Sequence, residues 1–228
     1  MLIQALASDT KNFDSGHPSI AIRQSNLATV HLDLGELQEA KKLLIQALTS
    51  DEKNFEPGHP SIAISQSNLR SLATKYYEVK SYNEAEEILQ ILLHSSFEEA
   101  SISHHLARIC LITNRIAEAK DHIENAWQIR KEAKPYIVAR LLWFKIALAF
   151  LSKSSMEKYA DQLKAVLQKD DAFTEWTMKP VLDHIKPQIT EQQHAFLSTL
   201  VDSLSEKKNV EKLNEFPEWR DATPEELD

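Results

Sequence analysis

Apolar and small residues recur along this chain at helical spacing, and no segment shows the strict alternation of a half-buried strand. Between residues 27 and 48, Leu27, Ala28, His31, Leu34 and Leu37 fall on one side of an expected helix–turn–helix. Ala40, Leu43, Leu44, Ala47 and Leu48 supply the facing stripe of its second helix. Gly35 lies between the stripes, where a helix can end in the left-handed region without steric cost. An alanine pair twelve residues apart marks this unit and two later ones: Ala28 and Ala40, Ala73 and Ala85, Ala107 and Ala119. Small side chains there let the two helices of a hairpin approach closely.

The pattern also repeats as text. LIQALASDTKNFDSGHPSIAIRQSNL at residues 2–27 returns as LIQALTSDEKNFEPGHPSIAISQSNL at 44–69, 42 residues on, with five changes in 26 positions. Repetition at such a period marks a solenoid, whose units bury their apolar faces only against neighbours. Polar positions match as well: Ser8 with Ser50, Lys11 with Lys53, Asn12 with Asn54, Gln24 with Gln66. Recent duplication explains these more simply than a shared ligand. The GHP triplets at 16–18 and 58–60 punctuate the junctions between hairpins. Proline suits a first helical turn because its missing N–H has no intrahelical partner there. His17 and His59, just before the prolines, read as caps or junction packing.

Three aligned stretches, LATVHLDLGELQEAKKLLIQAL, LATKYYEVKSYNEAEEILQILL and LARICLITNRIAEAKDHIENAW, resemble tetratricopeptide repeats. The step of 34 from Leu72 to Leu106 is that family's period. The 42-residue unit with its GHPSIA junction resembles the kinesin light chain type, which also occurs widely in bacterial multidomain proteins. The resemblance implies an all-α, right-handed superhelical solenoid of antiparallel helix hairpins with a C-terminal helical cap. On that reading residues 1–131 are tetratricopeptide repeats, with 1–13 an orphan second helix followed by three hairpins. Residues 132–169 are a degenerate fourth repeat, 170–216 the cap and 217–228 an acidic tail.

Two departures matter. The step between the first and second alanine pairs is 45, so the helix around Asn68 to Leu72 carries three extra residues and its buried face turns by about 60°. Lys80 and Asn114 stand where Gly35 does, and lysine suits the left-handed region poorly, so the second hairpin is expected to turn differently. Beyond the repeats, Ser154 and Glu157 have capping-box spacing, Asp171 to Ile185 reads as a helix broken near Pro180, and Thr190 with Gln193 opens another. Trp176, Phe196, Phe216 and Trp219 are the expected aromatic cover for the last repeat. The chain starts halfway through a repeat, which suggests the carboxy-terminal piece of a longer array.

Composition narrows function mainly by exclusion. A formal charge of −8 argues against a nucleic-acid groove, and eight acids against four bases in residues 205–228 supply half of it. The single cysteine, Cys110, permits no intrachain disulfide and fits a reducing compartment. The start lacks a signal peptide, and the most apolar stretch, Tyr136 to Leu151, is too short for a bilayer and reads as a buried helix. A cytoplasmic protein without membrane contact is expected. Three glycines, all at repeat junctions, leave no phosphate-binding loop, and one cysteine leaves no thiolate zinc site. No cofactor, metal or catalytic set is expected; His104, His105 and His122 carry the weakest exclusion.

What remains is a groove. The resemblance implies that first helices of successive hairpins line a concave surface holding extended peptides or partner helices. Alignment on the alanines puts Ser25, Asn26, Thr29 and Asp33 there, then Arg70, Ser71, Thr74, Tyr77 and Glu78, then His104, His105 and Arg108. It also implies that Asn26 clamps a ligand's backbone amide. Arg70, Arg108 and the histidines would then favour a carboxylate or acidic side chain. The expected function is a non-catalytic protein–protein interaction scaffold. The alternatives are self-assembly into a homo-oligomer through the unpaired N-terminal helix, or a regulatory sensor arm of a larger signalling protein.

Overall fold

Several helices in this protein start at proline or polar caps, and four stop at left-handed turns. The computed structural model describes residues 1–14, 16–95, 98–168, 172–206 and 210–224, of residue 206 the backbone alone, and no strand occurs among them. The chain divides into two compact units, Met1–Phe97 and Glu98–Asp228.

The N-terminal unit holds α1 (Leu2–Asn12), α2 (Pro18–Asp33), α3 (Leu37–Asn54), α4 (Pro60–Glu78) and α5 (Tyr82–His94). The pairs α2–α3 and α4–α5 are hairpins, α1 packs on α2, and α3 packs on α4. Ala28, Ala40 and Ala85 are fully enclosed and Ala73 nearly so, as close helix contact requires. The three extra residues are absorbed within α4, which has 19 residues where α2 has 16.

The duplicated junction is a small structural device. The Nδ1 atoms of His17 and His59 accept the amide hydrogens of Ser19 and Ser61, each at 3.2 Å, so both histidines cap the following helix. Phe13 stacks on His17 at 4.2 Å and Phe55 on His59 at 3.9 Å, fixing each cap. The matching polar residues also have structural work: Ser50 Oγ donates to the Gly16 carbonyl at 2.6 Å, and Asn54 Nδ2 donates to the same oxygen. The end of one hairpin thus clasps the loop that began it. One of the five differences between the copies is compensated too. Arg23 bonds Asp9 at 3.1 Å in the first copy, whereas Ser65 bonds the buried Asp51 at 2.6 Å in the second.

The C-terminal unit holds α6 (Glu99–Ile112), α7 (Ile116–Gln128), α8 (Pro135–Leu151), α9 (Glu157–Val166), α10 (Lys179–Ile185), α11 (Glu191–Glu206) and α12 (Pro217–Arg220). Helix α8 is buried on nearly every side, as its unbroken apolar run requires. Around it Trp143 meets Phe144 and Trp176 edge-on, and Trp143 Nε1 donates to the Leu197 carbonyl at 3.0 Å. Phe196 and Trp219 are buried and Phe216 is partly so, within the same core. Lys164 Nζ donates to the carbonyls of Trp219 and Ala222, which docks α12 on α9.

Three expectations are corrected. The second hairpin does not turn differently: Gly35, Lys80, Asn114 and Lys153 all adopt positive φ, at 76°, 63°, 61° and 53°. The following amide reaches back five residues each time, from Glu36 to His31, Ser81 to Tyr76, Arg115 to Cys110 and Ser154 to Ala149. Turn hydrogen bonds and hairpin packing hold lysine where glycine is intrinsically preferred. Second, Ser154 forms no capping box: its hydroxyl turns back to the Ala149 carbonyl, and the amide of Glu157 bonds Ser155 Oγ instead. Third, the stretch before Pro180 is not helical. Residues 173–178 carry no regular structure, Pro180 lies in the first turn of α10 rather than breaking it, and Asp171 lies outside the described residues. The Thr190–Gln193 capping box forms as expected, with reciprocal bonds of 2.9 and 3.1 Å.

Candidate functional site

In the N-terminal unit the first helices α2 and α4 contact each other, so nine of the candidate residues share one unit. Asn26, Thr29, Asp33 and Thr74 are exposed, while Ser25, Arg70 and Tyr77 are half-buried. Tyr77 is held edge-on against Tyr82 at 5.6 Å. The hydroxyls are partly committed: Thr29, Ser71 and Thr74 each donate to the carbonyl four residues back, on Ser25, Ser67 and Arg70, at 3.1 Å. Their oxygens can still accept, so this face offers acceptors to a ligand's N–H groups while Asn26 can both donate and accept.

Sequence reasoning misses the apolar members of that face. Ile22 and Ile64 occupy equivalent positions of the duplicated segment and are 58% and 59% exposed. Ile22 stands four, seven and eleven residues before Asn26, Thr29 and Asp33, which puts all four on one side of α2. A signal for them exists: both isoleucines fall outside the periodic stripe that fills the hairpin core.

The other three candidates lie in the C-terminal unit, where the corresponding helix face is covered. His104 has no exposed surface, so its ring cannot meet a ligand from solvent; His105 and Arg108 are half-buried. The cover is the strap formed by residues 173–178, in which burial alternates: Trp176 and Met178 are buried, Glu175 and Thr177 exposed. Arg108 donates to the Thr177 carbonyl at 3.2 Å, and Arg140 of α8 donates to the Glu175 carbonyl at 2.9 Å while lying over Trp176. On the far side Ser205 Oγ donates to the Trp176 carbonyl at 2.6 Å, and the Thr174 amide donates to Leu204 at 3.1 Å. Helix α10 packs on α6 beyond this strap. The period-two burial of residues 175–178 is a signal that the expectation of a helix conceals.

Electrostatics follow burial. Burial pushes the Tyr76 phenol up, with Glu84, Glu87 and Glu39 adding to the shift, and burial beside Asp51 raises Glu52. Burial lowers Arg140 to about 10, with Arg108 pulling the same way. His104 is held well below the usual imidazole range, first by burial and then by His105, Arg140 and Arg108. A cleft of 680 Å³ opens at the α8–α9 turn, lined by Lys153, Ser155, Thr190 and Glu218 among others. Ser155 and Thr190 already cap α9 and α11. Among the described residues, no helix is long and apolar enough to cross a membrane.

Comparison with known proteins bears on the repeats. The family model described as tetratricopeptide repeat matches residues 19–93. No curated protein matches the chain. Among solved structures, the nearly identical tetratricopeptide-like repeats of a putative kinesin light chain from Podosopora anserina are similar, at 24% identity and a TM-score of 0.48, covering 73% of this chain and 83% of that one. A single-substitution form of the same protein is similar at the same identity and TM-score, covering 72% and 82%. The match at 19–93 coincides with the two hairpins α2–α3 and α4–α5 and with their shared left-handed turn. Residues 19–93, through these two hairpins, are similar to the tetratricopeptide repeat family.

Proposed function

We propose that the chain is a protein–protein interaction scaffold that holds a peptide or partner helix against the first helices of its N-terminal unit, without turnover. The observation that carries this reading is the exposed face of α2 and α4. Ile22 and Ile64 stay more than half exposed there, beside Asn26 and a row of hydroxyls that can accept hydrogen bonds. Exposed apolar side chains rimmed by polar groups are the ordinary composition of a docking surface. An open face on two hairpins supports modest affinity, about micromolar or about −8 kcal/mol.

The test is a double change, Ile22→Glu with Ile64→Glu, in a pull-down against a lysate of the source organism. Both side chains already face solvent, so the fold survives while docking is lost. If every captured partner is retained at undiminished yield, the face is not the binding surface.

A second reading is favoured by α1. None of its residues is buried and Ile3 is 67% exposed, whereas Leu44 and Leu48, the counterparts of Leu2 and Leu6, are enclosed in α3. A second copy could cover that side of α1 and make a homo-oligomer. Light scattering over a concentration series decides it: a constant monomer mass at high concentration eliminates self-association.

A further inference from the structure

Tyr76 packs inside the second hairpin with 3% of its surface exposed, yet its hydroxyl is enclosed without a hydrogen-bond partner among the described residues. The duplicated pattern shows what is missing. The same place in the first hairpin, 45 residues earlier, holds His31, whose Nδ1 meets the Glu36 carboxylate at 2.5 Å. The counterpart of Glu36 is Ser81, so the second hairpin keeps a buried polar tip and lacks the acid that answers it in the first.

The surroundings of that hydroxyl are acidic. The left-handed turn at Lys80 ties the Ser81 amide to the Tyr76 carbonyl at 2.9 Å, which brings the first turn of α5, with Glu84, beside the end of α4. Helix α4 also packs against α3, whose first turn carries Glu39. Lys41 of α3 bonds Glu87 of α5 at 2.5 Å, so the two second helices meet beside the end of α4. Burial first, then Glu84, Glu87 and Glu39, push the phenol pKa up and keep the group neutral. Lys41 balances Glu87, whereas Glu39 and Glu84 make no ion pair among the described residues. First-turn glutamates are accounted for by the positive ends of their helices; an enclosed hydroxyl without a partner is not. Glu39 and Glu87 are exposed and Glu84 is half-buried, so the carboxylates form a rim open to solvent and the hydroxyl lies at its floor.

We infer that this recess is a subsite for a guanidinium, taking an arginine side chain of a partner protein on the second helices, apart from the face of α2 and α4. An arginine fork presents five N–H groups in one plane, enough to meet carboxylates from two helices and a phenol oxygen together. An ammonium is more strongly hydrated and offers its donors from a single point. A metal ion needs its oxygen ligands drawn round one centre, and Lys41 already engages one of these carboxylates. None of these residues belongs to the docking face proposed above, so either site can fail without the other.

The probe is N-acetyl-arginine amide, titrated into the whole chain at low ionic strength while the Ser81 and Glu84 amide signals are followed by NMR. Saturable shifts are expected with a dissociation constant of about 1 mM, as befits a single side chain. Glu39→Gln with Glu84→Gln should weaken binding by about tenfold or more, because two charge-assisted bonds are lost. Tyr76→Phe keeps the ring in the core and should weaken binding by about threefold to tenfold through the hydroxyl alone. If that variant fails to fold, the glutamine pair, at exposed and half-buried positions, decides the matter. N-acetyl-lysine amide should bind more weakly than the arginine derivative by about threefold or more. The inference is overturned if the arginine derivative gives no saturable shift, if either folded variant binds it as tightly as the unaltered protein, or if the lysine derivative binds equally well. Saturation of the same signals by calcium ions, with no response to the arginine derivative, overturns it too.

Discussion

Lys80 occupies a backbone conformation that disfavours a side chain, and the consequence can be measured. At φ 63° its Cβ crowds the following carbonyl, which costs an L-residue about 1–2 kcal/mol relative to its preferred regions. Glycine removes that crowding but gives up about 0.5–1 kcal/mol through its larger unfolded-state freedom. The Lys80 side chain is exposed, so Lys80→Gly should stabilise the α4–α5 hairpin by a net of about 0.5–1 kcal/mol. The mirror change, Gly35→Ala, should cost about 1 kcal/mol. A Cβ at Gly35 would meet nothing within 4 Å, so only the φ of 76° opposes it. Repeats open locally, so a global melt would blur both effects. Hydrogen exchange of the Ser81 amide, bonded to Tyr76 at 2.9 Å, reports the second turn directly. It should slow by about twofold to fivefold in Lys80→Gly. Unchanged or faster exchange would show that the turn is not strained and that its sequence is indifferent.

Packing and burial set the remaining expectations. Ser50→Ala with Asn54→Ala removes the clasp on the Gly16 carbonyl and should destabilise the α2–α3 hairpin by about 1–2 kcal/mol, read as faster exchange in α2. Lys145 is buried between Trp127 and Tyr159 and paired with Glu124 at 2.7 Å. Glu124→Ala should cost about 1–2 kcal/mol by leaving a buried cation unpaired, whereas Lys145→Met should be neutral or stabilising in a urea titration. Because burial lowers the pKa of His104, the unfolded C-terminal unit binds a proton that the folded one does not. Its stability should therefore hold above about pH 6.5 and fall below it by up to about 1.4 kcal/mol per unit from this residue, a dependence that His104→Phe removes in denaturation at several pH values.

The hairpins are legible in the sequence because their signals are local. Alanine spacing places the close contacts at Ala28 and Ala40, the repeated GHP places the caps, and the run at 136–151 announces a buried helix. Turn geometry at Lys80 is misjudged when intrinsic φ preference is weighed without the neighbouring hydrogen bonds that override it. The strap escapes such reading because its character is tertiary. It is held by Arg108, Arg140, Ser205 and Leu204, from helices far apart in sequence, and leaves only a weak period-two trace. The same remoteness hides the burial of His104, which alignment alone places on an open face. Identity between the copies suggests simple duplication, yet Ser50 and Asn54 show that some matching polar groups close the repeat.

The central claim is that partners dock on the first-helix face of the N-terminal unit. Its most direct test is site-specific photo-crosslinking, with a photoreactive residue placed in turn at Asn26, at Ile64 and at Gln38, which is exposed on α3. The account predicts partner adducts from Asn26 and Ile64, and none above background from Gln38. Equal adducts from Gln38, or adducts there alone, would contradict it.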